Sequence, residues 1–395
     1  MRILLHDFGA YPFILQLAHE LARRGHEVTF AYSEDKVGPN SRFDQGDRSA
    51  ERLDIHGVRV PPSRNKQTLP WRFFFESAYA KQLAGLVRSL EPEVVISANC
   101  PSLVSGALAK LRRKGGFRFI DWRQDLYGLA AKLILAEKLG PLGSAVGNYL
   151  MRLDRDAFRA ADHVVAISDD FIPMLIEAGV DRGDITVVHN WAPLEECDVQ
   201  PRDNDWSRGR QLSEGPRFVY SGTLAMKHNP AILLGLAEWL DRQGNGQLVV
   251  VSEGSGSDWL RQQAEERGVR SLKLLGFQPY EELPLVLGSA DVLVVILEPD
   301  ASVFSVPSKV LSYMCAGRPI LGAVNRENLA AKTVLGSDAG RVVSPEDEEG
   351  FVAAAGELLE SEGLRERLGA NGRRFAESHF DLGRIADQFE AIMGG

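Results

Sequence analysis

The sequence predicts an α/β protein built from two doubly wound, parallel-sheet domains. Short apolar strands alternate with helical stretches along most of the 395 residues, and this alternation is typical of parallel sheets flanked by helices. The chain also begins a strand–helix–strand unit twice, once at its N terminus and once near residue 217. A polar segment containing proline and glycine separates the two halves and predicts a linker.

In the first half, a strand at 2–5 is followed by a loop containing Gly9 and by a helix at 13–24. Apolar residues recur on one face of this helix, and Gly25 ends it. Further strands are predicted at 28–32, 94–96, 117–120, 164–167 and 185–188.

The second half repeats this order with a strand at 217–220, a helix at about 230–242 and a strand at 247–251. Later strands are predicted at 272–275, 292–297 and 319–321, and the tail at 364–393 is helical with a break near 379–381. We therefore expect an N-terminal domain at 1–195, a linker at 196–216, a C-terminal domain at 217–375 and a C-terminal helix at 376–395.

Composition excludes several classes of protein. A hydrophobic content of 44% and a charged content of 25% are those of an ordinary globular chain, and the net charge of -9 argues against a nucleic-acid partner. Three widely spaced cysteines predict a reducing compartment. No leader or membrane-spanning run is expected, so we predict a cytoplasmic protein, with contact at the inner face of the membrane left open.

The segment that follows the apolar run at 292–297 is the most informative for function. Pro307 suits a first helical turn, and Ser305 and Ser308 stand where helix caps are expected. The helix dipole disfavours a cation in the first turn by about 0.3–1 kcal/mol. Lys309 in that turn therefore favours a bound anion such as a phosphate, and a solvated surface lysine is the alternative.

Other predicted loops follow the carboxyl ends of strands, where parallel sheets bind ligands. The loop after strand 217–220 carries Gly222, Thr223 and Lys227, and two lysines can balance a diphosphate. The loop at 252–256 contains glycines that let a ligand approach the backbone, although a plain turn is the alternative.

No metal or nucleophile motif is found in the sequence. Asp154 and Asp156 resemble a metal-binding pair, but they lie in a helical pattern and are predicted to be solvated helix surface. The histidines show no ligand spacing, and no GxSxG motif is present. We therefore predict no metal site.

As a set, the motifs resemble retaining glycosyltransferase family 4, in particular the branch that builds bacterial O-antigen and colanic-acid units. The family has the GT-B fold, two Rossmann-like domains with an interdomain cleft. The matching segments are 24–28, 124–127, 188–192, 220–224, 227–230, 251–254, 275–277, 306–309 and 313–319.

The resemblance implies a nucleoside-diphosphate sugar such as a UDP-sugar as donor and no cofactor. It places Lys227 at the diphosphate, 306–309 against the phosphates and the sugar, and Gly276 and Phe277 near the base. It also turns the Gly9 loop toward the phosphates, gives the acceptor to the N-terminal domain, and returns the final helix to that domain. The implied donor-binding residues are Gly9, Gly222, Thr223, Lys227, Glu253, Gly254, Gly276, Phe277, Ser305, Val306, Pro307, Ser308, Lys309 and Ser312.

Two departures from the family pattern affect the donor site. Where the family often has two glutamates eight positions apart, this chain has Phe304 and Ser312. Thr223 stands near the position of a frequent arginine beside the phosphate lysine. The nucleotide contacts are therefore expected to differ from the family's. A non-catalytic binding subunit and a sugar-nucleotide 2-epimerase of the same architecture remain alternatives.

We expect transfer of a hexose-like sugar with retention. Charge builds on the departing diphosphate, and Lys227 and Lys309 are placed to stabilise it without a metal. The leaving phosphate itself can take the acceptor proton. Asp125 follows a strand and is expected to orient the acceptor hydroxyl or the sugar, with a helix cap as the alternative.

The acceptor is expected to be a glycan or a lipid-linked molecule. An aromatic cluster at 71–75, a basic run at 110–114 and a leucine-rich stretch at 126–150 suit the surface of an anionic membrane. Core aromatics and an ordinary helix end are an equally good interpretation of the first two segments.

Overall fold

A computed structural model of the chain describes residues 1–36, 52–60, 69–194, 197–297 and 308–395. These residues form two compact units. The first comprises Met1–Asn190 together with Leu382–Gly395, and the second comprises Trp191–Asp381.

The first unit contains a seven-stranded parallel sheet. Its strands are β1 (Arg2–Asp7), β2 (Glu27–Ser33), β3 (Leu53–Val58), β4 (Val94–Ala98), β5 (Arg118–Arg123), β6 (His163–Ala166) and β7 (Ile185–Val187). Its first five helices are α1 (Pro12–Arg23), α2 (Leu69–Leu90), α3 (Ser102–Arg112), α4 (Tyr127–Ala160) and α5 (Ile172–Ala178). The strand order is β3-β2-β1-β4-β5-β6-β7, so the order reverses between β1 and β4. Open parallel sheets bind ligands at the carboxyl ends of the strands at such a reversal.

The second unit has a six-stranded parallel sheet. Its strands are β8 (Arg217–Ser221), β9 (Gln247–Val251), β10 (Leu272–Leu275), β11 (Val292–Ile296), β12 (Ile320–Ala323) and β13 (Gly340–Val343). Its helices are α6 (Asp205–Gly209), α7 (Pro230–Gln243), α8 (Ser255–Arg267), α9 (Leu283–Gly288), α10 (Lys309–Cys315), α11 (Leu329–Gly336), α12 (Glu348–Glu360) and α13 (Glu362–His379). The order β10-β9-β8-β11-β12-β13 reverses between β8 and β11.

The last helix, α14 (Leu382–Gly394), packs within the first unit. Phe389 on α14 lies against Trp122 of β5, with their ring centroids 4.7 Å apart. At the end of α1, Arg24 pairs with Glu390 at 2.5 Å and with Asp387 at 2.6 Å. Apolar and ionic contacts therefore both hold the C-terminal helix to this unit.

The predicted fold class, two parallel α/β domains, is confirmed. The sequence prediction missed β3 and β13. In β3, exposed residues alternate with partly buried ones and interrupt the apolar run. In β13, Gly340 and Arg341 leave only two consecutive apolar residues, which are too few to indicate a strand.

The described part of the segment predicted as a linker, 197–216, is not an open chain. It contains α6, which begins in a capping box formed by Asn204 and Ser207. Trp206 on this helix is only 3% exposed. The polar composition of the segment hides these buried anchors, so that the pattern resembles a linker although the segment packs on the second unit.

Helix α4 is interrupted at Gly140, whose φ of 56° and ψ of -133° are not helical. The two arms, 127–139 and 141–160, fold back on each other: a Cβ atom at Gly143 would collide with the Leu135 carbonyl group. We call residues 127–153 the α4 hairpin. No helix of the described segments is long and apolar enough to cross a membrane.

The predicted solvated surface at Asp154 is wrong, because this residue is buried and accepts a hydrogen bond from the Gly128 N–H at 2.9 Å. Gly128 and Asp154 are 26 residues apart in α4, and the turn at Gly140 brings them together. The side chain of Asp156, by contrast, is 42% exposed, and its carboxylate lies 3.7 Å from Arg113.

Candidate functional site

In the second unit, the predicted residues gather where the strand order reverses. Gly222 directly follows β8 with a φ of +128°, and its N–H donates to the Val251 carbonyl at 3.1 Å. A Cβ atom at this position would lie 3.0 Å from Nζ of Lys309. Glycine at 222 therefore leaves space for the lysine and allows the backbone conformation of the loop.

Lys309 is a half-buried cation beside the end of β8. Its Nζ lies 3.9 Å from the ring centroid of Tyr220, and burial lowers the pKa of Lys309 to about 7. No carboxylate among the described residues forms an ion pair with it. A bound anion would compensate this desolvated charge, which is the property expected of a phosphate-binding lysine.

Tyr313, one turn along α10 from Lys309, fixes this helix to β8. Its hydroxyl accepts a hydrogen bond from the Ser221 N–H at 3.1 Å and donates to the Ser221 carbonyl at 3.2 Å. The hydroxyl thus acts both as donor and as acceptor toward the backbone of Ser221. This contact holds the start of α10, and with it Lys309, against the end of β8.

The predicted helix start at 306–309 agrees only in part with the structure. The helix begins at Lys309, and the preceding Ser308 is exposed and makes no side-chain capping bond, so the predicted serine cap is wrong here. Ser312 lies on the same helix and is half-buried. The predictions for Ser305, Val306 and Pro307, and the departure at Phe304, lie outside the described residues.

Thr223 follows Gly222, and its carbonyl accepts a hydrogen bond from the Tyr220 hydroxyl at 2.8 Å. The chain then enters a short 3₁₀ turn at Met226–His228. The backbone of Lys227 belongs to this turn, and its side chain lies outside the described part. The structure places the backbone of both residues in the loop after β8, as predicted.

The loops after β9 and β10 are joined by Glu253. Its Oε1 accepts a hydrogen bond from the Phe277 N–H at 3.1 Å, and a Cβ atom at Gly276 would lie 3.2 Å from the same oxygen. Gly254 has a φ of +120° and lies against the Leu224 carbonyl of the loop after β8. Glu253, Gly254, Gly276 and Phe277 thus form one group of loops at the carboxyl ends of three neighbouring strands.

In the first unit, Gly9 lies in a loop held by a buried carboxylate that the sequence prediction missed. Asp7, the last residue of β1, is fully buried and accepts hydrogen bonds from the N–H groups of Gly9, at 3.0 Å, and of Tyr11. Burial raises the pKa of Asp7 to about 7, although these bonds and one from Asn99 oppose the rise. The available signal was a polar residue at the end of an apolar strand.

Asp125 lies two residues beyond β5, in the same unit, and is half-buried. Burial raises the pKa of Asp125 to about 6, and the charge of Arg123 opposes the rise. The helix-cap alternative is wrong, because Leu126 is the N-cap residue of α4 and no side chain caps that end. The carboxylate is therefore available for another partner.

Asn99 and Tyr127 complete this polar group. The Tyr127 hydroxyl donates to Oδ1 of Asn99 at 3.0 Å, and the side chain of Asn99 also bonds to Asp7. Asn99 adopts a φ of 53°, which is rare for a residue other than glycine. Carboxylates, an amide and phenols gathered at the carboxyl ends of β1, β4 and β5 are suited to binding hydroxyl groups.

No group of three or more metal-ligating side chains occurs within the described ranges.

Two families match this chain. The family described as glycosyl transferase 4-like domain matches residues 8–191, and the family described as glycosyl transferases group 1 matches residues 203–375. The matches leave only the two ends of the chain and a short central segment uncovered, and they follow the division into two units.

Among curated proteins, the chain is similar to the putative colanic acid biosynthesis glycosyl transferase WcaI of Escherichia coli K12. The two are 24% identical over 412 aligned positions, which cover 98% of each chain. Both curated proteins that match the chain are described as glycosyltransferases, and neither is described as an epimerase or as a non-catalytic subunit.

Solved structures with the GT-B fold are also similar. Sucrose-phosphate synthase from Thermosynechococcus elongatus aligns with a TM-score of 0.75 at 16% identity, covering 99% of this chain and 98% of that one. Anabaena HepE in complex with UDP-glucose aligns with a TM-score of 0.71 at 14% identity, covering 100% of this chain and 99% of the other. At this identity the likeness establishes the GT-B fold.

Proposed function

We propose that this chain, whose two halves match the glycosyl transferase 4-like domain and the glycosyl transferases group 1 family, transfers a hexose-like sugar to a glycan or lipid-linked acceptor in surface-polysaccharide biosynthesis. The name of WcaI, which refers to colanic acid, supports this place in metabolism. The observation that carries the proposal is Lys309, a desolvated cation without a carboxylate partner among the described residues, at the reversal point of the second sheet.

The proposed donor is a nucleoside-diphosphate sugar, with a UDP-sugar as the first candidate. HepE, a protein with the same fold, binds UDP-glucose. In the second unit, the loops after β8, β9 and β10 lie at the carboxyl ends of three neighbouring strands on one side of the reversal point. Lys309, beside the end of β8, supplies a positive charge for the diphosphate. The absence of a side chain at Gly222 leaves room for the ammonium group of Lys309 beside the proposed diphosphate.

The proposed chemistry breaks the bond between the anomeric carbon and the diphosphate and forms a bond from that carbon to an acceptor hydroxyl oxygen. The hydroxyl proton goes to an oxygen of the leaving diphosphate, on the face that the diphosphate leaves, so the configuration is retained. Negative charge grows on the diphosphate, and preorganised cations there provide the largest catalytic contribution. Lys309, with Lys227, takes this role, and no metal is required.

Asp125 is proposed to orient the acceptor hydroxyl. Its neighbourhood includes Asn99 and Tyr127, whose side chains are already hydrogen-bonded to each other. A carboxylate that accepts a hydrogen bond from the acceptor fixes the attacking oxygen and reduces the entropy lost at the transition state.

A panel of nucleotide sugars tests the proposal. We expect one UDP-sugar to raise the melting temperature of the protein and to be consumed only when an acceptor is added, also in the presence of EDTA. The anomeric configuration of the product, read by NMR, is expected to match that of the donor. Binding without turnover would favour a non-catalytic subunit, release of an altered sugar without acceptor would favour an epimerase, and binding of no nucleotide sugar would reject the proposal.

Donor affinity is expected to fall as the pH rises above about 7. Burial holds the pKa of Lys309 at about 7 in the free protein, and only the ammonium form pairs with the diphosphate. Each pH unit above this value costs about 1.4 kcal/mol, or tenfold in affinity, until the pKa of the complex is reached. Calorimetric titration with UDP-glucose from pH 6 to 9 measures this slope.

The variant Lys309→Arg is the control for this slope, because the guanidinium stays protonated throughout the range. A flat profile for this variant with a sloping wild-type profile assigns the titration to Lys309. Equal slopes in both proteins would contradict the assignment.

A further inference from the structure

The α4 hairpin is a helical projection of the first unit that packs against α3. Its arms approach each other closely at two glycines, because a Cβ atom at Gly143 would collide with the Leu135 carbonyl and one at Gly147 would collide with Lys132. Gly143 and Gly147 are one turn apart on the same face of the second arm. On its inner side the hairpin is anchored by a small cluster containing Leu135, Leu150 and Leu153, with Phe73 packed against it.

The hairpin tip is apolar and faces solvent. Leu139 and Leu142, on either side of the break at Gly140, are 46% and 69% exposed. Leu133 and Ile134 on the first arm are 48% and 45% exposed. Four large apolar side chains on one projection are far more than the scattered exposed residues of an ordinary surface.

The charge of the hairpin is opposite to that of the whole chain. Residues 127–153 contain Lys132, Lys138 and Arg152 against the single acidic residue Glu137, whereas the chain carries a net charge of -9. Lys138 is exposed directly beside Leu139 at the tip. Apolar side chains next to basic ones on an otherwise acidic protein are complementary to a surface that is anionic outside and apolar beneath.

The structure distinguishes the three segments, 71–75, 110–114 and 126–150, whose sequences suit a membrane surface. Phe75 of the aromatic cluster is buried, and Trp71 stacks on it with ring centroids 5.0 Å apart. In the basic run at the end of α3, Arg112 is paired with Asp162 at 2.5 Å. Packing and helix-end pairing thus explain these residues, although Phe74 of the aromatic cluster is 60% exposed. Among the described residues of the three segments, the hairpin carries the largest group of exposed apolar side chains.

We propose that the tip of the α4 hairpin inserts into the surface of an anionic lipid bilayer and holds the enzyme there. An arm of 13 residues is about 20 Å long, shorter than the ~30 Å hydrocarbon layer, so the tip enters one leaflet and does not cross. The bilayer is favoured over a second protein copy because of the local excess of positive charge, which would repel an identical hairpin. This inference does not depend on which sugar is transferred.

Flotation of the full-length protein with vesicles tests the inference. We expect binding to vesicles of phosphatidylglycerol and phosphatidylcholine at low salt and at least tenfold weaker binding to phosphatidylcholine alone. The double variant Leu139→Asn/Leu142→Asn removes apolar area without changing the charge, and it is expected to lose at least tenfold in binding to the anionic vesicles. Both residues are exposed, so the fold is expected to survive, which circular dichroism checks.

The matched control replaces Ile176 and Leu335, which are 47% and 41% exposed elsewhere on the surface, with asparagine. Its vesicle binding is expected to equal that of the wild type. Failure of the wild-type protein to float, or an equal loss in the control, would overturn the inference. The inference would also be overturned if light scattering showed a dimer of the wild type that the Leu139→Asn/Leu142→Asn variant abolishes and the control variant does not. Flotation uses no sugar donor, so its result is separate from the test of the proposed function.

Discussion

Replacing Lys309 with alanine is expected to lower kcat/KM for the sugar donor by about 100- to 1000-fold, the usual effect of removing one preorganised group that stabilises transition-state charge. The ammonium lies against the end of β8, where Gly222 leaves space for it. Because charge grows on the diphosphate as the glycosidic bond breaks, the loss is expected in kcat as well as in donor affinity. Steady-state kinetics and calorimetry with UDP measure the two parts.

Two further variants separate charge from structure. Lys309→Arg keeps the positive charge and is expected to retain more activity than Lys309→Ala. Lys332→Ala removes a lysine of α11 that lies 3.6 Å from Glu327 at the surface, and it is expected to behave as the wild type. If Lys309→Ala binds UDP as tightly as Lys332→Ala does, the role assigned to Lys309 is wrong.

The sequence predicted the architecture well because the buried strands are nearly continuous apolar runs. All five residues of β11 are buried, as are all five of β4. The edge strand β3 escaped prediction for the opposite reason, since it alternates exposed and partly buried residues that include a histidine and a glycine. Apolar content indicates strands in the middle of a parallel sheet better than strands at its edge.

The donor loops of the second unit could be predicted because each follows a strand directly in the sequence. The polar group of the first unit could not. Asp7 and Asn99 are far apart in the chain and meet only because β1 and β4 are neighbours in the sheet. That pairing is a property of strand order, which composition and periodicity do not give.

The α4 hairpin was hidden for a related reason. Both arms have helical patterns, and the turn consists of Gly140 and Pro141 alone. A single helix would separate Gly128 from Asp154 by about 39 Å, whereas the folded arms join them by a hydrogen bond of 2.9 Å. One sharp turn therefore converts an expected surface carboxylate into a buried one.

Asp154 also belongs to the ion network behind the polar group of the first unit. Arg123, at the end of β5, is 1% exposed and binds both oxygens of Asp121, at 2.7 and 3.1 Å. Asp154 lies 3.8 Å from the same guanidinium, which also covers the ring of Phe158 at 4.6 Å. Because Asp125 follows two residues later, this network fixes the strand end from which Asp125 projects.

Replacing Arg123 with methionine is therefore expected to destabilise the protein by about 3–5 kcal/mol, the usual penalty for leaving buried charges without their partner. The long apolar side chain keeps most of the volume, so the loss is chiefly electrostatic. Asp121 and Asp154 would both remain in a site closed to water. Urea unfolding followed by circular dichroism measures the change in the free energy of unfolding.

The pH dependence and a charge-removing control test the electrostatic origin. Burial already raises the pKa of Asp154, and loss of Arg123 removes the cation that opposes this rise. A carboxyl whose pKa is raised in the folded state binds its proton more readily there than in the unfolded chain, so acidification favours the folded variant. The deficit of Arg123→Met relative to the wild type is thus expected to shrink as the pH falls toward 5. Adding Asp121→Asn and Asp154→Asn is expected to recover part of the stability at neutral pH, whereas an unchanged deficit in both experiments would mean that packing, and not charge, holds this strand end.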